Sequence, residues 1–117
     1  MILSDIEAKL QELDPNVFYG VVDRNKLGTV WNCIVFGRTN VKPSTNKTSA
    51  SDYFDVLIIR ENYIPEGFDT EIIKTLTELD GVRLAGNDGR FDYVQKPNTN
   101  TVIEMLTLSF VRARKNV

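Results

Sequence analysis

The sequence predicts a single α+β domain, one mostly antiparallel sheet packed by two helices in the order α-β-β-β-α-(β)-β-β. Three observations carry that expectation. Tyr53 to Arg60 reads as the central strand, because its run Val56-Leu57-Ile58-Ile59 leaves no polar residue for a solvated face. Two stretches space apolar residues three or four apart, Ile2, Ile6, Leu10 and Leu13 in one and Phe68, Ile72, Ile73, Leu76 and Leu79 in the other, so each presents one helical stripe. The last third alternates strand-like runs with turn signals at Asn87-Asp88-Gly89 and Pro97-Asn98-Thr99-Asn100. The 117 residues form one core of ordinary size, burying roughly two thirds of the unfolded surface.

Ser4-Asp5-Ile6-Glu7 has capping-box spacing and predicts a helix starting there, with Pro15 ending it. Val17 to Val22 is aromatic and β-branched and reads as a strand, followed by a hairpin loop over Asp23 to Gly28 and a second strand over Val30 to Phe36. Both faces of that second strand look largely buried. Thr39 to Asp52 is polar apart from Val41 and predicts a long surface loop, mobile in the isolated chain and open to proteolysis near Lys42 or Lys47. Asp69 or Thr70 is the expected cap of the second helix, and Gly81 its left-handed stop. Val82 to Ala85 and Arg90 to Lys96 follow as strands, and Thr101 to Ala113 as a final strand long enough to reach past a small sheet.

The net charge of −2 gives no electrostatic reason to expect nucleic acid or an acidic membrane surface. Neither a membrane span nor a signal peptide is legible, and one cysteine agrees with a reducing compartment, so a cytosolic protein is expected. The absence of histidine removes the commonest general base and metal ligand, leaving carboxylates, Lys, Tyr and Cys33 as candidates for chemistry. Cys33 lies inside a strand without a basic neighbour in sequence and reads as a small buried hydrophobe rather than a reactive thiol. Asp88, Asp92 and Glu104 would bind a hard cation if they converged at the last hairpin, but their spacing is looser than that of a calcium loop, and solvated turn carboxylates are the plainer reading. Gly86-Asn87-Asp88-Gly89 lacks the Lys-Ser/Thr that completes a phosphate loop. Arg112, Arg114 and Lys115 form a basic C-terminal cluster able to touch phosphate or an acidic partner, although such termini often serve solubility alone. Asn46-Lys47-Thr48 has glycosylation spacing without consequence in a cytosol. The expectation is a chain that is not an enzyme and holds no metal or cofactor.

Several phrases then line up: Trp31-Asn32-Cys33-Ile34-Val35-Phe36-Gly37-Arg38, Asp52-Tyr53-Phe54-Asp55-Val56, Arg60-Glu61-Asn62-Tyr63-Ile64-Pro65, and Lys96-Pro97-Asn98-Thr99-Asn100 leading into Val111-Arg112-Ala113-Arg114-Lys115. With its element order, nearly the full chain resembles the tail terminator family of the head-to-tail joining region of long-tailed bacteriophages and prophages. The resemblance implies a structural virion protein, assembled in the bacterial cytoplasm and placed at the head-proximal end of the tail. It implies a ring of copies of itself, six by resemblance, that caps the tail tube protein and offers its other face to the head connector or completion protein. Sequence-specific nucleic acid and membrane are not among the partners. The resemblance implies that the 39–52 loop and the hairpin turns lie on ring faces or in the lumen while strand edges or helix faces meet neighbouring subunits, and the expected partner or assembly contacts are Lys42, Asn46, Lys47, Asp52, Arg24, Lys26, Arg112 and Arg114. The residues add one physical argument: two helices on one sheet face would leave apolar surface on the other, which marks an interface, and head-to-tail packing of unlike patches closes into rings. The competing readings are a small α+β ligand-binding or regulatory module of a cytosolic complex, with its pocket between sheet and helices, and an enzyme using Asp88, Asp92 and Glu104.

Overall fold

The computed structural model describes residues 2–21, 31–43, 49–86 and 89–115, and shows the α+β fold: two helices on a six-stranded, mostly antiparallel sheet. The elements are α1 (Ile2–Gln11), β1 (Val17–Tyr19), β2 (Cys33–Pro43), β3 (Ser49–Glu61), α2 (Phe68–Thr77), β4 (Val82–Leu84), β5 (Arg90–Gln95) and β6 (Val102–Lys115). In the sheet they run β1-β2-β3-β6-β4, with β5 also on β6. The strand built on Val56 to Ile59 is central, between β2 and β6.

Pairing assigns the two faces. Ile34, Phe36, Phe54, Val56, Ile58, Leu106, Leu108 and Phe110 are in register across β2, β3 and β6 and form one core with Ile6 and Leu10 of α1 and Ile72 and Leu76 of α2. Phe54 and Phe110 stack at 5.4 Å between ring centroids. Each large side chain buried here contributes roughly 1.5–3 kcal/mol, so both helices are held by the stripes that predicted them. The alternate residues, among them Val35, Leu57, Ile59 and Met105, face the other way.

Five expectations are corrected. β1 pairs parallel with β2, Val17 opposite Ile34, so the chain between them is a crossover and not a hairpin. Parallel neighbours need a connection of about a dozen residues, and β1 is cut short at Gly20, left-handed at φ 81°, whose amide donates to the Phe36 carbonyl. The turn expected over Asp23 to Gly28 lies outside the described residues. Thr39 to Asp52 is not a long loop: β2 continues to Pro43, β3 starts at Ser49, and the two pair throughout. A bulge between Arg38 and Asn40 changes the alternation midway, so period-two reading from Ile34 assigns the wrong face beyond it. Lys42, expected in a cleavable loop, sits in that ladder opposite Ser51, and Lys47 lies outside the described residues. Ser4 is inside α1 rather than capping it, since the helix already runs from Ile2, with Leu3 packed against the core. α2 starts at Phe68 and not at Asp69 or Thr70, with Gly67 at φ 88° as its N-cap and no side-chain cap, and the Phe68 ring lies under the Arg60 guanidinium at 4.8 Å. Finally, β4 and β5 do not pair with each other. They occupy successive stretches of the same edge of β6, Leu84 opposite Phe110 and Arg90 opposite Thr107.

Gly81 is the left-handed stop expected after α2, at φ 80°. A Cβ there would meet the Ala113 carbonyl oxygen at 3.2 Å.

Candidate functional site

Two surfaces gather the features that packing alone does not consume. The first is the sheet face opposite the helices. Val35, Leu57, Ile59 and Met105 are only half-buried there, and Val94 on β5 is 46% exposed. Cys33, Ile103 and Val111 on the same face are enclosed, so the open apolar surface is the central part and the β5 side. At its middle Ser109 Oγ donates to Asp55 Oδ1 at 2.8 Å. Shallow hollows beside this pair are lined by Gly37, Thr107 and Arg90. The neighbouring edge is also open: among the described residues β5 pairs only with β6, and its Phe91 and Tyr93 are exposed.

The second surface is the ribbon in which β2 to Pro43, β3 from Ser49 and β6 to Lys115 pair, with β4 alongside β6 at Val111 and Arg112. At the ribbon's base a cleft of about 150 Å³ is lined by Leu3 and Ile6 of α1 and by Arg38, Asp52, Phe54 and Arg112. Asp52 and Arg112 are direct partners across β3 and β6, and Arg38, opposite Phe54 and before the bulge, shares their face by plain alternation. Arg38 Nε donates to the Tyr19 hydroxyl at 3.2 Å. Arg112 Nε is buried with no acceptor among the described residues.

Of the expected contact residues, then, Asp52 and Arg112 meet at one cleft. Lys42 is exposed on the ribbon's opposite face, since its partner Ser51 alternates with Asp52. Arg114 is in β6 opposite Ala50. Arg24, Lys26, Asn46 and Lys47 lie outside the described residues. Sequence reasoning missed Arg38 because it falls between the strand read to Phe36 and the loop read from Thr39, and only pairing through β3 brings it near Arg112.

The proposed acid cluster does not converge. Glu104 is opposite Tyr93, whereas Asp92 is opposite Met105, so the two carboxylates point to opposite faces; Asp88 lies outside the described residues. Glu104 is committed to structure: it accepts the Tyr93 hydroxyl at 2.8 Å and the Ile64 amide at 2.7 Å. That hydrogen bond, more than desolvation, raises the Tyr93 pKa. Among the described residues no group of acidic or cysteine side chains has the geometry to hold a metal. Cys33 is fully buried, and loss of solvent, reinforced by the Asp14 charge and opposed by Arg60, pushes its thiol up to about 11. At neutral pH it is a protonated, shielded hydrophobe.

No helix among the described residues is long and apolar enough to cross a membrane. Comparison with protein-family profiles finds no match, and comparison with curated proteins finds no significant relative.

Proposed function

We propose that this chain is a structural assembly protein of a phage or prophage tail, resembling a tail terminator: a ring of copies that caps the tail tube and joins it to the head connector, located in the virion. The observation that carries the reading is the sheet face without helices, on which Val35, Leu57, Ile59, Met105 and Val94 keep apolar surface in contact with solvent. Exposed apolar surface of this kind favours association. The ribbon and the unpaired β5 edge supply further surfaces by which unlike patches can meet and close a ring. The phrases around Trp31 to Arg38, Arg60 to Pro65 and Val111 to Lys115 are the basis for the tail terminator among possible assembly proteins.

A ligand-binding module is the second reading, and one cleft speaks for it. Between α2 and the gap separating β4 from β5, Asp69, Ile73, Leu84, Phe91 and Leu106 line a cleft of about 180 Å³. Small-molecule pockets usually span about 300–1,000 Å³, so this reading ranks behind assembly.

The test mixes the purified chain with polymerising tail tube protein from the same phage or prophage and follows tube length by negative-stain microscopy. Tubes that stop growing and carry a cap at one end are expected. Unlimited growth with no bound chain would overturn the reading.

A further inference from the structure

Charge on this molecule is sharply divided, although the net value is small. The ribbon, residues 38–43, 49–52 and 111–115, holds Arg38, Lys42, Arg112, Arg114 and Lys115 against Asp52 alone. The helical layer has the reverse balance: between Asp5 and Glu12 and between Glu66 and Asp80 there are eight carboxylates and two lysines. Lys9, one of those lysines, is already taken by Glu78 at 3.2 Å and Glu12 at 3.9 Å. Most of the carboxylates, including Glu66 and Glu71, are exposed.

We propose that the Arg38–Arg112 cleft at the base of the ribbon receives a carboxylate from the acidic helical layer of a second copy of this chain. The cleft has the chemistry for it. Two guanidiniums against the single Asp52 carboxylate leave one positive charge unbalanced within the lining. Leu3, Ile6 and Phe54 lower the local dielectric, which strengthens any charge-assisted hydrogen bond formed there. Arg112 Nε has a buried N–H without an acceptor among the described residues, and a buried donor left so is costly. Arg38 is exposed, so it is the Arg38 guanidinium that an incoming carboxylate reaches, while Arg112 adds its charge from within the lining. The second copy is the favoured source because the chain itself carries the complementary surface, at equal concentration and on an element distinct from the ribbon. The contact joins unlike patches, so it is head-to-tail and propagates around a ring. It rests on the proposed self-assembly and adds to it which surfaces meet and why.

Sedimentation velocity across a protein dilution series tests this, on the full chain. Raising NaCl from about 50 mM to about 500 mM, which shortens the screening length roughly threefold, is expected to weaken association roughly tenfold or more. Arg38→Glu with Arg112→Glu is expected to weaken it at least as much at low salt, and Glu66→Lys with Glu71→Lys likewise. All four reversals in one chain restore complementarity and should recover most of the association. Thermal unfolding shows whether each variant folds; should the reversal in the cleft not fold, Arg38→Gln with Arg112→Gln gives the same direction at smaller size. Association of the wild-type chain that responds neither to salt nor to these substitutions would overturn this contact and leave ring assembly standing. A wild-type chain that stays monomeric throughout would overturn both. Ribbon substitutions that abolish binding of a DNA duplex without changing self-association would assign the cleft to nucleic acid and overturn the proposal.

Discussion

Asp14 is the one carboxylate buried among the described residues, and its partner explains why it is tolerated. Arg60 Nη2 approaches Asp14 Oδ2 at 2.7 Å, while Arg60 Nη1 donates to the carbonyls of Ile59 and Cys33 and the guanidinium lies over Phe68. Asp14 Oδ1 also accepts the Asn16 amide at 2.8 Å, turning the chain from α1 toward β1. Removing one member strands the other in a low-dielectric site, so Arg60→Ala is expected to cost about 3–5 kcal/mol in urea unfolding. A loss below about 1 kcal/mol would mean that the pair is solvated. Cys33, beside this pair, gives a pH prediction. Its folded thiol titrates near 11, above the ordinary value of 9.0. A raised folded value means that the native state holds the proton more tightly, so its contribution is intact below about 9 and is lost as pH rises through about 11. Wild-type stability should therefore fall more steeply between those pH values than that of Cys33→Ala, and Cys33 should resist thiol reagents at pH 8 until the chain unfolds. Rapid labelling of the native chain would contradict the burial. The inert thiol was legible in sequence from its apolar strand, but Arg60 was not, since its partner lies far upstream and no local spacing links them.

Elements were legible wherever one local pattern determined them, and misjudged where a distant strand did. Ile6 and Leu10 of α1, Ile72 and Leu76 of α2, and Val56 and Ile58 of the central run occupy the core positions that their spacing implies. Thr39 to Asp52 was misread because its residues are poor strand formers. Residues 39–43 and 49–52 become strand because β6 runs alongside β3 from Glu61 to Ser49, and this ladder carries β2 with it past the bulge. Tertiary pairing overrides local preference there. The parallel β1 escaped for a similar reason: a three-residue strand has no internal signal of direction. Gly81, by contrast, was placed correctly because a left-handed helix stop is a local requirement. Replacing it with Ala imposes a positive φ on a residue with a Cβ and pushes that Cβ toward the Ala113 carbonyl. A loss of about 1–2 kcal/mol is expected, read from the shift in urea midpoint at constant slope. No shift would show that the α2–β4 turn relaxes into another conformation.

For the whole molecule, the division of surfaces decides the behaviour. Helices cover one face of the sheet, the other keeps a half-open apolar centre, and a basic ribbon stands apart in charge from an acidic helical layer. The apolar centre was foreseeable from Leu57 and Ile59 alone, since two helices on one side leave nothing to shelter them; the enclosure of Cys33, Ile103 and Val111 on that same face was not. The ribbon cleft was invisible in the sequence because Arg38 and Arg112 meet only through the pairing of β2 and β6 with β3. The central claim is that the open face is a contact surface between copies, and Leu57, half-buried at its middle, is the residue to change. Molar mass by light scattering, measured on wild type and on Leu57→Lys over a wide concentration range, tests it most directly. The account predicts a wild-type mass that is a multiple of 13.3 kDa and a Leu57→Lys chain that folds but falls to the monomer mass. A wild-type chain at 13.3 kDa at every concentration, or a Leu57→Lys chain that assembles as wild type does, would contradict it.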